Sequence, residues 1–284
     1  MDNINKILEL GVINTLKINR DTPYGFFLEA QDGNEVLLPN YYITDDMQID
    51  DIIDVFLYTD SEDRLVATTE FPIAFKNQFA FVKCVDTAPF GAFVDIGLPK
   101  DLLVPNNKQK TKFHKGDKRI IRIIEDEQTN RLIGVEKIKI YLNNNTKNLK
   151  PNQEVKILVM TKTPMGYKVI VDNQYEGMLY ENEVFCKLFT GNKKTAYIKQ
   201  VRADGKLDIS LQPIGTKNNE LAVEKIISLL EKNNGTLPYT SKSTPEEIQT
   251  IFNLSKKNFK KALTNLIEQN KIKSENGCIS LIRE

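Results

Sequence analysis

The chain of 284 residues is longer than one ordinary domain and suits two to four small ones, and its 40% hydrophobic and 27% charged residues are ordinary for a folded protein. No stretch approaches the roughly 18–20 apolar residues of a membrane helix, and Met1-Asp2-Asn3-Ile4-Asn5-Lys6 lacks the basic and apolar regions of a signal peptide. Three widely spaced cysteines, Cys84, Cys186 and Cys278, form no CxxC pair, so reduced, buried thiols in a cytoplasmic protein are expected rather than a disulfide frame or a zinc site.

Three segments repeat along the chain. Tyr24-Gly25-Phe26-Phe27-Leu28, Phe90-Gly91-Ala92-Phe93-Val94 and Met165-Gly166-Tyr167-Lys168-Val169 each set a glycine before alternating apolar residues. Leu38, Val104 and Leu179 lie thirteen residues after the glycine, and Asp50, Gly116 and Gly191 twenty-five after. Arg64, Arg131 and Lys206 open a further strand-like run about forty residues on. β-rich runs at Val12–Ile18, Phe79–Val85 and Val155–Val159 precede the glycine, and Arg119–Ile124 follows the later turn. Five short strands in about 65 residues predict a small closed barrel, because closure removes exposed sheet edges. The fold class expected is mainly β, with tandem five-stranded barrels over 1–71, 72–145 and 146–215 and a C-terminal α+β domain over 216–284.

In the tail the apolar period becomes helical. Leu221, Val223, Ile226, Ile227 and Leu230 predict a first helix. Thr244-Pro245-Glu246-Glu247 supplies an N-cap, a first-turn proline and a capping-box glutamate for a second, running to about Phe252. A third begins at Ser255 and carries Phe259, Ala262, Leu263, Leu266 and Ile267 on one face. Two strand-like runs joined by Glu275-Asn276-Gly277, a hairpin signal, complete a winged helix-turn-helix.

The charge is unevenly divided: −11 over residues 1–71, +7 over 72–150, +2 over 151–215 and +3 over 216–284. A polyanion would be drawn to the middle and C-terminal parts and repelled by the first. Lys115, Arg119 and Arg122, with Lys108, Lys110, Lys112 and Lys118, make the second repeat the expected phosphate-contacting surface, although such a run also suits a solvated loop and strand edge. Lys256, Lys257, Lys260 and Lys261 lie off the apolar stripe of the third helix, where backbone or groove contacts are made in a helix-turn-helix. No arginine there offers a bidentate fork for reading guanine. The only histidine, His114, has no evident nucleophilic partner, and no phosphate-binding loop, nucleophile elbow or metal-ligand spacing occurs. The acids Asp45, Asp46, Asp50, Asp51 and Asp54 are read as a solvated acidic surface. No enzyme activity and no cofactor are expected.

Phe90-Gly91-Ala92-Phe93-Val94-Asp95 resembles the glycine-aromatic strand of the RNA-binding domain named after ribosomal protein S-one, an OB-fold barrel. The resemblance implies that Phe90 and Phe93 stack on bases, and that Asp126 and Arg131 are the family's acidic and basic residues before the last strand. The third repeat has Met165 and Lys168 where the second has the two phenylalanines, with Tyr167 and Tyr180 as the aromatics that could still stack. Where the family often has a histidine, the chain has Pro39, Pro105 and Tyr180. The competing expectation is that the glycine-strand aromatics plug the barrel.

Three such barrels before a winged helix resemble the bacterial conserved virulence factor B family, most tellingly at Phe90–Pro99 and Leu254–Leu263. The resemblance implies an RNA-binding regulator of gene expression in which the third barrel and winged helix work together on RNA. Single-stranded RNA is the expected partner, duplex DNA a less favoured one, and a membrane is not expected. Two alternatives stay open: a DNA-binding transcription regulator acting through the tail, and a protein-docking scaffold on ribosome or RNA-degradation machinery.

Overall fold

A computed structural model describes residues 4–184, 186–213, 216–275 and 277–282, so Asn276 of the expected hairpin turn and Met1 to Asn3 lie outside the described residues. The first barrel comprises β1 (Ile13–Thr22), β2 (Gly25–Glu29), β3 (Glu35–Pro39), β4 (Ile52–Thr59) and β5 (Leu65–Thr68), closed in the order β1-β2-β3-β5-β4. The second, β6 (Phe79–Ala88), β7 (Gly91–Asp95), β8 (Leu102–Pro105), β9 (Lys118–Asp126) and β10 (Arg131–Val135), has the sheet order β10-β9-β6-β7-β8. Its seam is packed by side chains: a Cβ on Gly134 of β10 would lie 2.7 Å from Val104 Cγ2 of β8. The third, β11 (Glu154–Thr163), β12 (Gly166–Val171), β13 (Tyr175–Tyr180), β14 (Lys193–Val201) and β15 (Leu207–Ser210), closes like the first.

The three repeats share their irregularities. Each long first strand carries a bulge, between Ile18 and Arg20, Cys84 and Asp86, and Val159 and Thr161, which bends the strand around the barrel. Each repeat glycine stands where two backbones almost touch. A Cβ would lie 2.0 Å from Leu38 O at Gly25, 2.7 Å from Val104 O at Gly91 and 2.2 Å from Leu179 O at Gly166. Only glycine fits, which explains its recurrence at one position in all three.

The chain divides into two compact units, Met1–Tyr141 and Leu142–Glu284. Within the first, β4 is buried on both faces. Val55 and Leu57 point into the first barrel, while Phe56 and Tyr58 join the core cluster of the second with Ala80, Val82, Val94 and Ile121. Phe56 packs at 5.9 Å on Phe75, and Lys76 N donates to Gly11 O at 2.7 Å.

Within the second unit the tail forms α1 (Thr216–Lys232), α2 (Pro245–Phe252) and α3 (Lys256–Glu268), with a sheet β16-β18-β17 of Thr236–Leu237, Cys278–Leu281 and Ile272–Glu275. Thr244 and Glu247 form the expected capping box, and Ser255 caps α3. Ile226, Leu230, Ile248, Phe252, Phe259 and Leu266 are completely buried. Leu221 and Ile267, expected on the buried stripes, are 42% and 43% exposed, because they fall at the edge of each helix's inward face. Gln212 links the barrel to the tail, donating to Asn253 O at 3.1 Å and accepting from Asn258 Nδ2 at 2.7 Å. Of the cysteines only Cys84 is fully buried, and burial pushes its thiol pKa up; Cys186 and Cys278 are half-buried, contrary to expectation. No helix among the described residues is long and apolar enough to cross a membrane.

Candidate nucleic-acid interface

The outer face of strands two and three of an OB barrel, with the adjoining loops, is where this architecture takes an oligonucleotide. Counting from the repeat glycine, the next residue points inward and the one after it outward. The residue before the glycine sits in the turn. These rules decide the fate of the aromatic candidates beside each repeat glycine.

In the second barrel the turn residue Phe90 is 60% exposed, and Phe93 on β7 is half-buried. Their rings meet edge to face, with centroids 6.0 Å apart and planes at 88°. Each ring fixes the other and leaves Phe90 open to a base. The turn is pinned by Asn106, whose Nδ2 donates to Pro89 O at 2.7 Å and whose N donates to Phe90 O at 3.1 Å. Asn40 repeats both contacts in the first barrel, to Pro23 O and Tyr24 O, and in the third Glu181 N bonds Met165 O. Sequence reasoning missed these clamps. Their signal was a Pro-Asn pair ending fifteen residues after the glycine in the first two repeats.

The basic residues sort by type. Arg119 pairs with Asp117 at 2.9 Å and with buried Glu136 at 3.5 Å. The Asp117 carboxyl is held below its usual range by the Arg119 guanidinium and the His114 backbone N–H. Arg122 lies between the rings of Phe79 and Tyr141, at 4.9 and 5.1 Å, with its Nε buried and unpartnered; burial lowers its pKa. Arg131 donates to Asp63 of the first barrel. Arg119 and Arg122, expected to meet phosphate, and Arg131, put at the interface by the family resemblance, are therefore engaged within the protein, because β9 and β10 face neighbours whose acids and rings the charge count could not locate. Lys115, like Lys110, Lys112 and Lys118, is exposed and forms no ion pair among the described residues. Asp126 turns inward on its own hairpin, accepting from Thr129 Oγ1 at 2.7 Å.

The first barrel closes its own platform. Tyr24 is 76% exposed, but the outward Phe27 is covered by Arg20, whose guanidinium carbon lies 3.9 Å from the ring centroid. Glu35 holds Arg20 by contacts of 2.6 to 3.2 Å. An internal cation occupies the place a base would take.

The third barrel corrects one expectation. Tyr167 is the residue after the glycine, so it points inward, is 8% exposed and belongs to the barrel core. It cannot offer a face for stacking. Lys168, one residue on, is exposed, and Met165 in the turn is 63% exposed. Tyr180 is half-buried and accepts from Arg202, which Asp208 holds at 2.7 Å. On α3, Lys257, Lys260 and Lys261 are exposed and Lys256 half-buried; none pairs with a carboxylate among the described residues.

Residues 10–70 match the S1 domain and residues 224–281 the CvfB-like winged helix domain. An uncharacterized protein of Bacillus subtilis, YitL, is 32% identical over 272 residues, covering 93% of this chain and 90% of its own. Conserved virulence factor B of Staphylococcus saprophyticus is 29% identical over 90% of this chain and 89% of its own. A crystal structure from Streptococcus pneumoniae, described as a multidomain protein with nucleic acid binding domains, is 26% identical over 96% of this chain and 98% of its own, at a TM-score of 0.41. With its three barrels, its winged helix and relatives alike over nearly their whole lengths, the chain belongs to the conserved virulence factor B family.

Proposed function

We propose that this protein binds single-stranded RNA with little sequence preference and regulates gene expression after transcription, in the cytoplasm and without catalysis. The observation that carries this reading is the Phe90–Phe93 pair, an edge-to-face platform with an exposed ring, on the barrel that also carries Lys110, Lys112, Lys115 and Lys118, exposed and without an ion pair among the described residues. A base offers a π-face whatever its identity, so stacking binds single strands broadly, at about 1–3 kcal/mol per base. Lys110, Lys112, Lys115 and Lys118 then meet phosphates as point charges. The second unit offers its own cations, Lys168, Lys256, Lys257, Lys260 and Lys261, with Tyr180 oriented by Arg202. We read 1–71 as a module that stays off the RNA, and 72–145, 146–215 and 216–284 as the modules that touch it.

Duplex reading is less favoured, since lysines on α3 cannot form the bidentate pairs by which arginine selects guanine. The test is a titration of the full chain with labelled single-stranded RNA, single-stranded DNA and duplex DNA across a salt series. The expected result is tightest binding to RNA, with log K falling linearly in log salt. RNA affinity no higher than that for duplex DNA would sink the reading.

A further inference from the structure

The acidic first barrel has a concave surface that the nucleic-acid reading leaves without a use. A groove of about 630 Å³ is lined by Pro39, Tyr41, Tyr42, Tyr58, Glu70 and, from the second barrel, Pro99. Its floor is fixed by burial: Tyr42 and Tyr58 are only 7% and 8% exposed. Burial pushes the Tyr58 hydroxyl pKa well above the usual tyrosine value, so it keeps its proton. Its wall is Tyr41, 81% exposed yet held edge-on against Tyr42 at 5.0 Å and 83°. An aromatic ring this exposed and this oriented is a pre-ordered contact surface.

Ring-lined grooves flanked by prolines accept either a stacked base or a polyproline-II peptide, whose rings pack on the aromatics at little entropic cost. Charge decides between them. The first 71 residues carry −11, and the ionised groups that act on Tyr58, Asp60 and Glu70, are both acids. The adjoining cation, Lys100, is engaged by Asp63 at 3.2 Å and by the Asp60 backbone carbonyl. Phosphate is repelled here, and a lysine or arginine flank is attracted to Glu70.

We propose that this groove docks a proline-rich peptide segment bearing a basic residue, giving the first barrel a protein-binding role separate from RNA. The test is fluorescence anisotropy of the full chain with a labelled proline-repeat peptide flanked by arginine, run beside labelled single-stranded RNA. Saturable peptide binding is expected, weakened about tenfold or more by Tyr41→Ala and by Glu70→Lys, with RNA affinity unchanged in both variants. Tyr41 is exposed, so its truncation leaves the fold intact. The proposal is overturned if the peptide shows no saturable binding, if replacing its prolines with alanine changes nothing, or if RNA displaces it. Loss of RNA binding with peptide binding retained would count against the RNA reading and leave this one standing.

Discussion

Arg131, opening the last strand of the second barrel, is ion-paired with Asp63 in the turn between the last two strands of the first. The pair removes from the candidate interface the arginine that family resemblance put there. Its side chains are 49% and 37% exposed, so it adds little to stability, about 0–1 kcal/mol once solvent screening is counted. Asp63→Asn, which keeps a side chain suited to the left-handed backbone at φ +63°, is therefore expected to shift urea unfolding by less than about 1 kcal/mol while freeing the Arg131 charge. RNA affinity should rise and its salt slope steepen by about 0.7 per added phosphate contact. An unchanged slope would show that the freed Arg131 does not reach RNA.

Replacing Phe90 and Phe93 together by alanine is expected to cost at least about 2 kcal/mol of RNA affinity, roughly thirtyfold. Phe90→Ala alone should leave the thermal midpoint nearly unmoved, because the ring is 60% exposed. A large drop in midpoint for Phe90→Ala would instead assign the ring a packing role.

Gly166→Ala is expected to destabilise the third barrel by more than about 2 kcal/mol, measured by chemical denaturation of the full chain. The new Cβ would lie 2.2 Å from Leu179 O, and the backbone φ of +141° is one that side chains rarely adopt. Gly116→Ala, at φ +93° but with open space around it, should cost less, so the difference between the two reports the steric part.

The Arg20–Glu35 pair predicts a pH dependence. The Arg20 guanidinium, helped by Asn19, holds the Glu35 carboxyl below its usual value. A depressed folded-state pKa means that this stabilisation is complete above the unfolded value of about 4.3 and is lost as pH falls through the folded one. Glu35→Gln should therefore make unfolding less steep in pH on the acid side of that value and leave the neutral-pH profile parallel to wild type. Equal acid steepness in both proteins would remove Glu35 as a contributor.

Substituting Lys257, Lys260 and Lys261 by glutamine should leave stability near wild type, since all three are exposed and form no ion pair among the described residues. If they meet single-stranded RNA, the salt slope falls by about 2. A slope indistinguishable from wild type would place α3 off the RNA.

Much of the fold was legible because it is written in local rules. The repeat glycines mark the close approach of strands two and three, and Thr244, Pro245 and Glu247 announce α2 to the residue. Tyr167 was misplaced although the information was present: strand alternation from Gly166 sends it inward, as it does Ala92 in the second repeat. The engagement of Arg119, Arg122 and Arg131 was not legible, because Glu136, Tyr141 and Asp63 reach them only through tertiary packing. Arg20 over Phe27 was hidden in the same way, its partner Glu35 lying on another strand.

The strand β4, with Val55 and Leu57 serving one barrel and Phe56 and Tyr58 the other, makes the first two barrels a single cooperative unit. A cut after residue 71 would leave Phe56 and Tyr58 facing water on one fragment and strip the second barrel of its packing partner on the other. A mutation that melts either barrel is therefore expected to melt both in a single unfolding transition.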